Sequence, residues 1–168
     1  MLGACLFGGE RFNAVVAYDG GFVTGHADGM LKMWDLAADA VGSMHAHQGP
    51  IVDVAVTQDG SFIASASPVD STIFVRHGAA SFRLEGHEAG VISIALVGEH
   101  EPRLLSGSRD GTARLWNLDD GSCERVFDHD SAIYSVALHA DRGIAVVGDY
   151  AGRVTVHDIE GDLSLIHI

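Results

Sequence analysis

The sequence predicts an all-β fold in which one four-stranded antiparallel module is repeated four times. Three observations carry this. A turn residue recurs at Gly29, Ser71, Gly111 and Gly152, at intervals of 42, 40 and 41 residues. A fixed period in the low forties fits a four-stranded unit, whereas leucine-rich and ankyrin arrays run shorter. The stretch Gly86 to Leu118 reads as three short strands separated by turn signals: Val91 to Leu96, Leu104 to Ser108, and Thr112 to Asn117. Glycine is abundant, at 21 residues, and proline scarce, at 3, as many short strands joined by tight turns require.

The third unit is the clearest. Asp110-Gly111 lies between two alternating runs, a pattern that predicts a two-residue type I′ hairpin with both turn residues at positive φ. Strand alternation then puts Ala113, Leu115 and Asn117 on one face and Arg114 and Trp116 on the other. A buried indole N–H needs an acceptor, and Ser106 on the neighbouring strand can supply one.

The Gly86-His87 pair, the three-strand run and the closing Trp116-Asn117 together resemble a WD40 repeat, one blade of a β-propeller. The resemblance implies a buried hydrogen-bonded tetrad of His87, Ser106, Asp110 and Trp116. It also implies that each link contributes roughly 1 kcal/mol and that a broken link costs more.

In chain order, the blades run at about 10–45, 46–85, 86–128 and 129–168, with 1–9 as a possible outer strand of a preceding blade. The first blade has Phe12 to Tyr18, Phe22 to Thr24 and Met30 to Leu36. Thr24, Asp28 and Trp34 fall on three tetrad positions and Gly8 on the histidine position, so its tetrad is partial. The second begins at His47 and runs through Ile51 to Val56, Phe62 to Ser67 and Ile73 to Val75. It carries one extra residue around Pro68, and Arg76-His77 stands in place of Trp-Asp. The fourth has His129, Ile133 to Leu138, Ile144 to Gly148 and Val154 to Ile159. Val147 and Ala151 take the Ser and Asp places, which leaves apolar alternation alone to hold its strands. The outer strands are Ala40 to His45, Ala80 to Leu84, Ser122 to Phe127 and Leu163 to Ile168. Since propellers of this kind close with more blades, the expectation is an incomplete, open ring that missing blades or a second copy completes.

Composition excludes several functions. A net charge of −13 repels phosphate backbones and anionic membranes, so no nucleic-acid or membrane partner is expected. Cys5 and Cys123 lack metal-ligand spacing and read as reduced thiols, and no signal peptide or membrane span is visible, which points to cytoplasm or nucleus. His45 and His47 would share a strand face like zinc ligands, but His47 aligns with the repeat histidines His87 and His129, so no metal or other cofactor is expected. Ser106, His87 and Asp110 could be written as a catalytic triad. The tetrad accounts for the same residues and for Trp116 as well, so no enzyme activity is expected. Asp19, Asp28, Asp59, Asp70, Asp110 and Asp141 read as turn residues.

What remains is binding. The resemblance implies recognition of protein or peptide partners by the loops of one rim. By position these carry Arg11, Asn13, Val52 and Ile92, then Arg109, Tyr134 and Tyr150. Strand alternation alone leaves a core role open for Val52 and Ile92. The function expected is a non-enzymatic scaffold for protein assembly. The alternative is a substrate-recognition or regulatory propeller within a larger enzyme, such as a ubiquitin-ligase complex. The absence of an Arg after Trp34-Asp35-Leu36 and Trp116-Asn117-Leu118 weighs against the ligase-adaptor version.

Overall fold

In a computed structural model the described residues are 11–98, 101–139, 142–159, 161 and 164–167, the last four as backbone only. The expected strand at 1–9, Gly8, Cys5 and the turn at Asp141 lie outside them. The described residues form sixteen strands in four separate antiparallel sheets, each a meander of four consecutive strands. Blade 1 comprises β1 (Phe12–Tyr18), β2 (Gly21–His26), β3 (Met30–Asp35) and β4 (Ala40–His45). Blade 2 comprises β5 (Asp53–Val56), β6 (Phe62–Ala66), β7 (Ile73–His77) and β8 (Ala80–Leu84). Blade 3 comprises β9 (Val91–Val97), β10 (Arg103–Ser108), β11 (Thr112–Asn117) and β12 (Cys123–Asp128). Blade 4 comprises β13 (Ile133–His139), β14 (Ile144–Asp149), β15 (Val154–Asp158) and β16 (Ser164–His167).

The first strands lie side by side, β1 against β5, β5 against β9 and β9 against β13, which gives the blades a common inner edge. The four sheets form an arc that does not close into a ring. The hydrophobic cores lie between blades. Val23, Leu31 and Met33 of blade 1 meet Ile51, Val54 and Ile63 of blade 2. Ala64, Ile73 and Val75 of blade 2 meet Ile94, Leu104 and Trp116 of blade 3. Leu105, Ala113 and Leu115 of blade 3 meet Ile133, Val136 and Ala145 of blade 4. Period-two alternation produces this directly: Leu104 and Leu105 are neighbours in sequence, and they serve opposite interfaces.

Polar contacts tie the inner edge together. The Ile94 N–H donates to Asp53 Oδ2 at 2.8 Å, and the Val136 N–H donates to Ser93 Oγ at 3.3 Å, each bond running from one blade to the preceding one. Burial raises the pKa of the Asp53 carboxyl against the hydrogen bonds from Ile94, Ser93 and Val54.

The β10–β11 connection differs from the two-residue type I′ expectation. It holds three residues, Arg109, Asp110 and Gly111, with Gly111 N–H bonded to Ser108 O at 3.3 Å and only Gly111 at positive φ (84°). This is a type I turn followed by one left-handed residue, and it spares Asp110 a costly conformation. Blades 1 and 4 repeat it, with Gly29 N–H on His26 O and Gly152 N–H on Asp149 O.

Candidate functional site

In blade 3, Asp110 caps its own turn: Oδ1 accepts the Thr112 N–H and hydroxyl, both at 2.8 Å. Its Oδ2 reaches across to blade 3's leading loop, taking the Glu88 N–H at 2.9 Å and His87 Nδ1–H at 2.8 Å. Desolvation pushes this carboxyl up, but the hydrogen bonds from Glu88, Thr112 and His87 outweigh it and hold its pKa at about 2. With Nδ1 donating to an ionised carboxylate, His87 Nε2 accepts the Ser106 hydroxyl at 2.8 Å, and Ser106 Oγ in turn accepts the Trp116 indole N–H at 2.8 Å. Every donor has an acceptor, and the chain crosses from the leading loop to β10 and β11. Burial lowers the His87 pKa, opposed by Asp110, so the neutral imidazole this relay needs is the favoured form.

The distances would also suit a nucleophilic relay. Ser106 is fully buried, however, and its oxygen is already shared between an indole and an imidazole, so no substrate carbonyl can reach it.

The other blades vary the network. In blade 2, His47 Nδ1 bonds Asp70 Oδ2 at 2.7 Å and Nε2 lies 3.0 Å from Ser65 Oγ, so the extra residue at Pro68 is absorbed in the turn without breaking the relay. Burial lowers the His47 pKa as it does that of His87. Arg76, at the tryptophan place, lies against Met33 Sδ of blade 1. His45 is exposed while His47 is buried in this relay, and among the described residues no three His, Cys, Asp or Glu side chains are grouped to hold a metal ion.

In blade 1, Trp34 Nε1–H donates to Thr24 Oγ1 at 2.8 Å, and Thr24 Oγ1 lies 2.8 Å from Nε2 of His26. The imidazole therefore comes from two residues along β2, a substitution that repeat alignment did not find. Asp28 Oδ1 accepts the Met30 N–H across its turn.

Blade 4 corrects the expectation that apolar alternation alone holds its strands. Buried Thr155 places its hydroxyl 3.0 Å from His157 Nε2 and 3.4 Å from His129 Nε2. Across its turn, Asp149 and Arg153 pair at 2.9 Å, and Arg153 also reaches Asp130 at 3.0 Å.

The rim residues fall into two structurally equivalent sets. Asn13, Ile92 and Tyr134 are the residues skipped by the β-bulges at the starts of β1, β9 and β13, where Phe12/Ala14, Val91/Ser93 and Ile133/Ser135 carry the pairing. A bulge releases its extra residue from the alternation and re-aims the side chain. Strand alternation therefore does not make Ile92 a core residue; it is half-buried, as is Val52 just ahead of β5. The second set sits at the turns, bonded to residues that precede the first strands: Ala27 N–H to Arg11 O at 3.1 Å, Arg109 N–H to Gly90 O at 3.0 Å, and Tyr150 N–H to Ala132 O at 2.8 Å. Arg11, Asn13 and Arg109 are exposed, and Asn13 Nδ2 donates to Ile51 O at 3.0 Å. Tyr134 and Tyr150, 49% and 75% exposed, bring their rings to 5.6 Å. At the opposite end, the far ends of β1, β5 and β9 surround a cleft of about 660 Å³ lined by Tyr18, Asp19, Thr57, Gln58 and Val97 among others.

Consecutive four-stranded meanders that pack face to face around a common inner edge, cross-linked by His, Asp, Ser and Trp, define a β-propeller repeat protein. The family model described as "WD domain, G-beta repeat" matches residues 39–76 and 78–117. The chain belongs to the WD40-repeat family. Each match starts at the outer strand of one blade (β4, β8) and ends on the third strand of the next (β7, β11), so the sequence repeat is offset from the sheet by one strand. The chain is 32% identical over 127 residues to the Arabidopsis thaliana DENN domain and WD repeat-containing protein SCD1, covering 73% of this chain and 10% of that protein. It is 26% identical over 140 residues to the Mus musculus target of rapamycin complex subunit LST8 (80% and 43%). It is 29% identical over 157 residues to the Culex quinquefasciatus eukaryotic translation initiation factor 3 subunit I (83% and 48%). The chain thus spans less than half the length of these relatives.

Proposed function

We propose that the chain is a non-enzymatic scaffold that captures protein or peptide partners on the rim where the first strands begin. WD40 repeats generally mediate protein–protein interactions, and two of the relatives are named as subunits, one of them of a complex. The observation that carries the reading is the bulge: equivalent strands in three blades release Asn13, Ile92 and Tyr134 from pairing, and Tyr134 lies beside Tyr150 in the open, their rings tilted by 36°. Large aromatic side chains with few rotors, with Arg109 on the neighbouring turn, are the types that anchor interfaces. The acidic composition disfavours nucleic acid and anionic membranes as partners, and the reading places the protein in the cytoplasm or nucleus.

The test compares affinity captures by the wild type, Arg109→Glu, Tyr134→Ala, and a Gln58→Ala control at the opposite end. Partners lost with the two rim variants and kept with Gln58→Ala, all folded by circular dichroism, support the reading. Rim variants that retain every partner remove it.

A further inference from the structure

We propose that the cleft at the far ends of β1, β5 and β9 is a second binding site, one that takes the lysine or arginine side chain of a partner polypeptide. Its lining comes from three consecutive blades, and its volume of about 660 Å³ falls within the range of about 300–1,000 Å³ typical of ligand sites. It lies at the end of the inner edge away from the bulges, so the inference stands apart from the rim reading.

The floor of the cleft is fixed by close packing. The Asp19 N–H donates to Gln58 O at 3.0 Å, which ties the β1–β2 turn to the β5–β6 turn. The Tyr18 ring lies against both turns: a Cβ at Gly20 or at Gly60 would stand 2.7 or 2.6 Å from its Cε2, so the ring occupies the space that a side chain at either position would need. Thr57 locks the second turn, donating its hydroxyl to Asp59 Oδ1 at 2.7 Å and accepting the Phe62 N–H at 3.0 Å. A floor held in this way is preorganised, and a ligand loses little free energy in ordering it.

Charge and shape select the ligand. No Lys, Arg or His lines the cleft, and Ala17, Val56, Leu96 and Val97 give it aliphatic walls. The carboxylates of Asp28, Asp59, Asp110 and Asp120 each accept an N–H of their own turn, from Met30, Ser61, Thr112 and Ser122. Asp19 is different: it is exposed, and among the described residues its carboxylate accepts no hydrogen bond and pairs with no cation. Its charge is left for whatever enters the cleft it lines. Asp59, in the adjoining turn, is held at about 2 by the Ser61 N–H and by the Thr57 and Ser61 hydroxyls, and so adds a second negative charge nearby. Long basic side chains lay an alkyl stem along apolar walls and keep the cationic head beside a carboxylate, which is what this cleft offers. The net charge of −13 draws such a group in at long range. An arginine side chain fills only part of the cleft, which leaves room for the peptide that carries it.

The test is a titration of the isotope-labelled 168-residue chain with the acetylated and amidated pentapeptide Ala-Ala-Arg-Ala-Ala, followed by amide NMR shifts. Shifts at millimolar peptide are expected to cluster at residues 17–19, 56–58 and 96–98 and to weaken when salt is raised about tenfold. The same peptide with citrulline in place of arginine, neutral and nearly isosteric, is expected to cause none. Asp19→Asn is expected to weaken binding about threefold to fivefold, and Glu88→Gln, the same loss of charge at the opposite end, to leave it unchanged. Shifts scattered over the acidic surface, equal binding of the citrulline peptide, or indifference to Asp19→Asn in a variant whose spectrum is otherwise intact would each overturn the site. Spermidine binding as tightly as the peptide would overturn its assignment to a polypeptide side chain.

Discussion

Removing the Ser106 hydroxyl is the sharpest test of the blade 3 network. Ser106→Ala deletes one oxygen at a fully buried position and leaves the backbone and surrounding apolar contacts in place. Two hydrogen bonds disappear together, that from Trp116 Nε1 and that to His87 Nε2. Net loss is about 1 kcal/mol per bond, and the stranded indole N–H and imidazole nitrogen each carry a desolvation penalty of about 1–3 kcal/mol that local relaxation partly relieves, so a destabilisation of about 2–4 kcal/mol is expected. With a urea m-value of about 2 kcal/mol/M, the unfolding midpoint followed by circular dichroism should fall by about 1–2 M at unchanged m. Trp116→Phe removes the same N–H from the other side, so the double variant should be less destabilised than the sum of the singles. A midpoint shift equivalent to less than about 0.5 kcal/mol, the range of ordinary surface substitutions, or strict additivity, would refute the relay as an energetic unit.

Acid should weaken the fold in two stages. The folded pKa values of His47 and His87 lie below 6.5, so their contribution is complete above that pH and is lost as pH falls below it, while the unfolded chain takes up protons first. Asp110, held at about 2, contributes until pH falls through about 3.8, so midpoint loss between pH 6.5 and 5 belongs to the histidines; a midpoint that rises over that interval contradicts the assignment. Gly29→Ala and Gly152→Ala share left-handed φ values of 83° and 82°, but only the former drives its Cβ into the His47 carbonyl. Gly152→Ala should therefore cost about 1 kcal/mol and Gly29→Ala clearly more, and equal thermal shifts would show that the close approach is unimportant. Thr155→Val should destabilise the chain by about 1 kcal/mol or more in urea unfolding, and a neutral result would return blade 4 to a purely apolar account.

The sheets were legible in the sequence because two signals agreed at every level. A glycine or serine turn recurred near every forty-first residue, and alternating aliphatic runs lay on either side of it. The blade 3 relay was legible because His87, Ser106, Asp110 and Trp116 are all present. Where a member is missing, spacing misleads. His26 serves Thr24 from the same strand, and Thr155 serves two histidines from β15, since a buried hydroxyl is satisfied by whichever imidazole the packing brings within reach. The turn at Asp110-Gly111 was placed correctly and typed wrongly: the dipeptide marks a reversal, but loop length depends on the register of β10 with β11, which local sequence does not encode. The bulges that free Asn13, Ile92 and Tyr134 left no composition signal, because they arise from how the first strand meets the turn of its partner.

Because the apolar filling lies between sheets and not within them, every blade arrives with one surface to offer and one to receive. A duplication or deletion of one full period leaves each neighbour with a suitable mate, whereas a cut inside a period strands half of two packing layers. Such a polypeptide is free to change length over evolutionary time in whole increments, with specificity drifting in the loops while the stack beneath them stays interchangeable.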